Sequence, residues 1–233
     1  MASLLSSIIA ASIVISSVAG LPSCSGSTLP ALPMEDVTNT GSAPLPAPSG
    51  EPKYIALGLG TQNYTCNSTS GTYTATGALA QLFDATYYLK ANKDEVATLS
   101  QTYLDLYIAL PCSKSPSACV EADSQCANQA NVQFQGGPLA PFGEQYFTSN
   151  GTPTWDLYGA ALHPFLYAKK VGDVKAKNAS DVDWLFLESN GSPDNKIISS
   201  VYRVETVGGV APQACSGIHS ITVPYAAEYW MYV

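Results

Sequence analysis

Val201-Tyr-Arg-Val-Glu-Thr-Val207 is the stretch on which the reading of the fold turns. Three valines, a tyrosine and a threonine in seven residues favour a pleated, half-buried surface. Strand alternation places Val201, Arg203, Glu205 and Val207 on one face, and Tyr202, Val204 and Thr206 on the other. A face that is apolar at both ends and ionic in the middle is unusual against solvent. Arg203 is the only arginine in the chain, and its planar fork of donors can hold a carboxylate or sugar hydroxyls. Arg203, held by Glu205, is therefore the candidate ligand-binding pair, pointing into a barrel mouth or an inter-sheet cleft. The competing expectation is a same-strand ion pair, or an arginine tying a loop carbonyl.

The same texture extends outward. Runs at 54–59, 184–188, 197–207 and 221–232 are rich in Val, Ile, Thr and Tyr, and Gly, Asn, Ser and Pro break them at short intervals. That pattern predicts a mainly β chain, an antiparallel sandwich or barrel. One segment differs. Asn92-Lys-Asp-Glu95 has the form of a capping box, and Val96, Leu99, Tyr103, Leu106 and Leu110 follow at three- and four-residue spacing. With Pro111 closing the run, this predicts one inserted amphipathic helix over about 92–110, its exit stapled by Cys112.

Residues 1–20 carry no charge and end Val18-Ala19-Gly20 after an apolar stretch, the form of a signal peptide. Residues 21–52 are rich in Pro, Ser, Gly and Ala and read as a disordered arm. Residues 53–233 read as a single β-rich secreted domain. No second apolar run of 18 residues follows the first, so no membrane span is expected in the mature chain. Six cysteines, Cys24, Cys66, Cys112, Cys119, Cys126 and Cys215, form an even set that an oxidising compartment allows. No Cys-x-x-Cys pair and no paired histidines occur, so disulfides are expected and a metal is not; the sequence leaves all 15 pairings open. Asn63, Asn67, Asn150, Asn178 and Asn190 head Asn-x-Ser/Thr sequons, the acceptors of extracellular glycans.

Composition narrows the function. Of 233 residues 46% are hydrophobic and 12% charged, enough apolar side chain for a packed core. Ten basic against eighteen acidic residues give a net charge of −8, and nucleic acid is excluded as a partner. No Gly-x-Ser-x-Gly elbow is present. His163 and His219 show no recognisable partner and read as surface or loop histidines. Asp84, Asp156, Asp183, Glu205 and Glu228 are candidates for a carboxylate pair, but only their separation in space decides glycosidic chemistry. Asp181-Val-Asp183 reads as a solvated loop rather than a calcium site. Fourteen tyrosines and three tryptophans suit a sugar-binding platform, although β cores are rich in them too.

Several strings carry a resemblance. They are Tyr54-Ile-Ala-Leu-Gly-Leu-Gly-Thr-Gln-Asn-Tyr-Thr-Cys66, Gly77-Ala-Leu-Ala-Gln-Leu-Phe-Asp84, Thr152-Pro-Thr-Trp-Asp156, Tyr202-Arg-Val-Glu-Thr-Val-Gly-Gly-Val-Ala-Pro-Gln-Ala-Cys215 and Val223-Pro-Tyr-Ala-Ala-Glu-Tyr229. Together the chain resembles a secreted family of unknown function, common in fungi and found in bacteria, some of whose members are labelled malate dehydrogenase-like. The resemblance implies that Cys66 and Cys215 pair, and it carries no activity. Members usually place a His before the Thr-Pro string, where this chain reads Gly143-Glu-Gln-Tyr-Phe147; that departure argues against a histidine-based mechanism. The dehydrogenase label finds no support in the residues. Gly58-Leu59-Gly60 opens a G-x-G pattern, but the third glycine position is Asn63 and nothing helix-like follows. No cofactor is expected. The expected function is extracellular binding or structure at a cell wall or host surface, with cell-wall glycan or a host component as partner. The alternative is a secreted enzyme acting on carbohydrate.

Overall fold

The computed structural model describes residues 28–36, 44–114, 120–217 and 219–233. The expected signal peptide, Cys24 and Cys119 lie outside the described residues. Eight strands follow one another as β1 (Tyr54–Asn67), β2 (Thr72–Asp84), β3 (Ala140–Phe147), β4 (Pro153–Asp156), β5 (Phe165–Val174), β6 (Trp184–Ser189), β7 (Ser200–Gly208) and β8 (Ser220–Tyr232). Each pairs antiparallel with its successor, and β8 returns to β1, from Tyr54 opposite Met231 to Thr65 opposite Ser220. The alternatives left open by the strand pattern resolve to a closed barrel. Closure pairs the backbone of the first and last strands and leaves no long edge for another chain.

Alternation along the strands builds two cores. Ala56, Ala80, Leu82, Trp155, Leu166, Val201, Tyr225, Ala227 and Tyr229 pack together in the lumen. Ile55, Leu57, Leu59, Phe83, Trp184, Phe186, Tyr202, Val204 and Trp230 point the other way, to the outer wall. Three helices between β2 and β3 cover part of that wall: α1 (Thr86–Ala91), α2 (Leu99–Ala109) and α3 (Val120–Gln133).

The expected single helix over 92–110 is corrected in two respects. Lys93–Glu95 forms a 3-10 turn, and Asn92 ends α1 with its backbone N–H on Tyr88 O and makes no side-chain cap. The helix proper begins at Leu99 and buries Leu99, Tyr103 and Tyr107 on the barrel side. Residues Val120–Gln133 form α3, a helix beyond the single one expected. Its inner face shows Cys126, Ala127 and Ala130, small enough for close approach. Buried Asn131 locks it: Nδ2 donates to Leu139 O at 2.9 Å, and Oδ1 accepts from Leu139 N at 2.9 Å and the Tyr103 hydroxyl at 2.8 Å. Cys112–Cys126 staples α3 to the end of α2, and Cys66–Cys215 ties β1 to the segment before β8. The described parts of the 21–52 arm are not disordered: Leu32 and Leu45 are buried in the outer core.

Candidate functional site

Arg203 and Glu205 are not brought together. β7 pairs Val204 with Glu228 and then Val207 with Ala226, so Glu205 and Thr206 form a bulge. Glu205 takes φ 44°, a conformation L residues hold only when surrounding contacts impose it. One such contact is Thr206, whose hydroxyl donates to Val182 O at 2.6 Å. The bulge resets alternation, and the four residues expected on one face divide. Val201 faces the lumen, whereas Val207 packs with the outer core. Arg203 donates from Nε and Nη2 to Asp183 O at 3.2 and 2.8 Å, tying a loop carbonyl. Glu205, 6% exposed, accepts from Lys177 Nζ at 3.1 Å instead.

Arg203 enters a filled level of the lumen. The Tyr225 and Tyr229 hydroxyls hydrogen-bond at 2.8 Å, and Tyr225 donates to Gln145 Oε1 at 3.2 Å. Burial pushes both phenols up, while the nearby guanidinium opposes it. Gly58 leaves the room that the Tyr229 ring takes, because a Cβ there would collide with that ring.

The other carboxylates separate by role. Asp84 accepts the Thr86 N–H at 2.9 Å, and Asp183 pairs with Lys175 at 3.0 Å. Asp181, expected in a solvated loop, is 8% exposed and accepts from Gly208 N and Asn178 Nδ2, so it anchors the turn into β6. Glu228 is fully buried; Trp230 Nε1 donates to its Oε2 at 2.8 Å, and Oε1 has no hydrogen-bond partner among the described residues. Burial pushes this carboxyl well up; the Glu205 carboxylate adds to the rise, while the Trp230 N–H and the Lys177 ammonium oppose it.

Asp156 stands apart on the outer wall. The helices pack chiefly on β1, β2, β7 and β8, and aromatic side chains stay partly exposed on β3 and β5, which flank β4. Gln81, Glu144, Asp156 and Phe165 form one row across β2 to β5, and Tyr146, Thr154 and Tyr167 form the next. Two carboxylates directly opposite each other repel. Tyr158, 51% exposed in the β4–β5 loop, stands close to both, and its hydroxyl accepts from Gln81 Nε2 at 3.2 Å. His163 Nε2 hydrogen-bonds Asp156 Oδ1. That imidazole stands on a turn with Leu162 at φ 66° and His163 at φ 47°, two successive left-handed residues without a glycine. Half-buried Phe165 and Tyr167 meet edge to face at 4.7 Å. The Tyr146 phenol is pushed up by burial first, and by the Asp156 and Glu144 carboxylates besides. The arrangement is a shallow wall of rings around two acceptors.

Sequence reasoning reached this wall only in part. Asp156 was among the candidate carboxylates, but His163 had no visible partner because the loop folds it back seven residues. His219 likewise has a partner, its Nε2 lying 2.6 Å from the Tyr73 hydroxyl. Among the described residues no three His, Cys, Asp or Glu side chains converge as metal ligands, and no helix is long and apolar enough to cross a membrane. Over residues 46–233 the chain matches a family model described as a protein of unknown function (DUF3455). No curated protein and no solved structure matches it.

Proposed function

We propose that this chain, which belongs to the DUF3455 family of proteins of unknown function, is a secreted binding module that holds carbohydrate on the outer wall of β3, β4 and β5. The observation that carries the reading is the set of partly exposed rings, Tyr146, Tyr158, Phe165 and Tyr167, around Glu144 and Asp156. Ring faces cover the apolar C–H faces of a pyranose, and each carboxylate accepts hydrogen bonds from its hydroxyls. Two disulfides support an oxidising, extracellular setting, and cell-wall or host-surface glycan is the ligand class that such a setting offers.

Binding is favoured over hydrolysis for a physical reason. A glycosidase needs a carboxyl kept protonated within reach of the scissile bond. Glu228 is a carboxyl that burial pushes up, but it is 0% exposed and out of a ligand's reach. The test is a glycan array supplemented with insoluble cell-wall polysaccharides. Tyr158→Ala removes one ring, worth on the order of 1 kcal/mol, and should weaken the best ligand about fivefold; Glu144→Gln should weaken it further. Absence of binding across the panel, or equal binding by both variants, would refute the assignment.

A further inference from the structure

A concave surface elsewhere on the barrel shares no residue with that wall. A groove of about 480 Å³ lies on the outer side of β6, β7 and β8, with the segment from Pro46 to Ser49 as its far bank. That volume is within the range of small-molecule sites, roughly 300–1,000 Å³. Strand register sets its chemistry. Glu188, Ser200 and Tyr232 stand side by side in one row, and Phe186 and Tyr202 in the next. The rings pack as one apolar block, Phe186 to Tyr202 at 4.5 Å and Tyr202 to Tyr232 at 5.5 Å. The Tyr202 hydroxyl donates to Pro46 O at 3.1 Å and holds the far bank in place. We infer that this groove binds a small organic ammonium ion, its charged head on Glu188 and Ser200 and its hydrocarbon body against Phe186, Tyr202 and Tyr232.

Charge selects the ligand. Among the described residues Glu188 is the only charged side chain lining the groove. Its cross-strand neighbour Lys169 lies outside the lining, and no ion pair joins the two among the described residues. An anion would meet that carboxylate and a chain of net charge −8. A neutral ligand would cover the carboxylate without compensating it, and a covered, unpaired charge is costly. An ammonium removes that cost with a charge-assisted hydrogen bond, and the aromatic block adds cation–π attraction. The field of Glu188 already reaches the block: the Tyr202 phenol is pushed up to about 12 by burial, and by this carboxylate besides.

Calorimetric titration of the full chain with phenethylammonium and with its neutral isostere 2-phenylethanol tests the site. The ammonium should bind saturably and the alcohol at least tenfold more weakly. Glu188→Gln should lose at least tenfold for the ammonium and little for the alcohol; Glu188 is exposed, so the fold should be unaffected, as equal urea midpoints would show. Tyr158→Ala should leave ammonium binding unchanged, so failure here and failure of the glycan assignment are separable. Equal affinity for alcohol and ammonium, unchanged binding by Glu188→Gln, or no saturable heat at millimolar ligand would each overturn the proposal.

Discussion

Glu228→Gln should change how stability depends on pH more than it changes stability itself. The native carboxyl is fully buried and its proton is held well above the ordinary carboxylate range. In the unfolded chain a glutamate titrates near 4.3. The Trp230 N–H needs an acceptor at Oε2, so the proton belongs on Oε1, which has no other partner among the described residues. Below about pH 4 both states carry the proton and the buried acid costs nothing extra. Above it the unfolded chain releases the proton while the native state keeps it, so unfolding is favoured as pH rises. The loss approaches 1.4 kcal/mol per pH unit and continues until the native carboxyl ionises. Glutamine has nearly the shape of the neutral acid, accepts from Trp230 and does not titrate. Urea unfolding of both proteins at half-unit steps from pH 4 to 8 checks this. At pH 4 they should agree within about 1 kcal/mol, the worth of one hydrogen bond. The difference should then grow in favour of Glu228→Gln with the slope given. Parallel curves over the whole range would refute the burial argument.

Arg203→Met should cost about 2–4 kcal/mol, because it deletes a charged donor and strands a part-buried carbonyl; urea unfolding measures it, and glycan binding should survive in the folded fraction. Removing Cys66–Cys215, which closes a separation of 149 residues, should cost about 5 kcal/mol on the loop-entropy account, against about 3 kcal/mol for Cys112–Cys126 with its 14. Paired Cys→Ala variants followed by thermal unfolding should give that order. Among the sequons, Asn67, Asn150, Asn178 and Asn190 are exposed, whereas Asn63 is half-buried inside β1 opposite Gly77 and Thr222. Site-resolved mass spectrometry of secreted protein should find the lowest glycan occupancy at Asn63.

The strands were legible because Val, Ile, Thr and Tyr pack well on a pleated surface, and those at 184–189 and 220–232 lie within a residue of their expected limits. Their closure was not, since strand spacing is alike in a sandwich and a meander barrel; what closes this one is the long register of β8 on β1. α3 was hidden for a different reason. Its sequence, Val120-Glu-Ala-Asp-Ser-Gln-Cys-Ala-Asn-Gln-Ala-Asn-Val-Gln133, has no bulky apolar stripe. It is held through alanines, a disulfide and the Asn131 clamp rather than through large side chains. The capping-box string at Asn92 misled because a local hydrogen-bond pattern is weak beside tertiary packing: α1 ends there, and its last turn takes the Asn92 N–H.

The same contrast separates the two candidate sites. Arg203 and Glu205 looked coupled because alternation was carried through an unbroken strand, and a bulge of one non-glycine left-handed residue was enough to send them to different sides of the wall. The β3–β5 wall had no comparable signature, since its members come from four strands and a loop and only register places them in rows. Two of the strings that carry the resemblance do reach it, Gly77–Asp84 through Gln81 and Thr152–Asp156 through Asp156. The stretch 143–147 supplies Glu144 and Tyr146 to the same wall. The imidazole beside Asp156 comes from His163, carried there by a left-handed turn. Chemistry on this barrel has to be judged by rows across strands rather than by motifs along them.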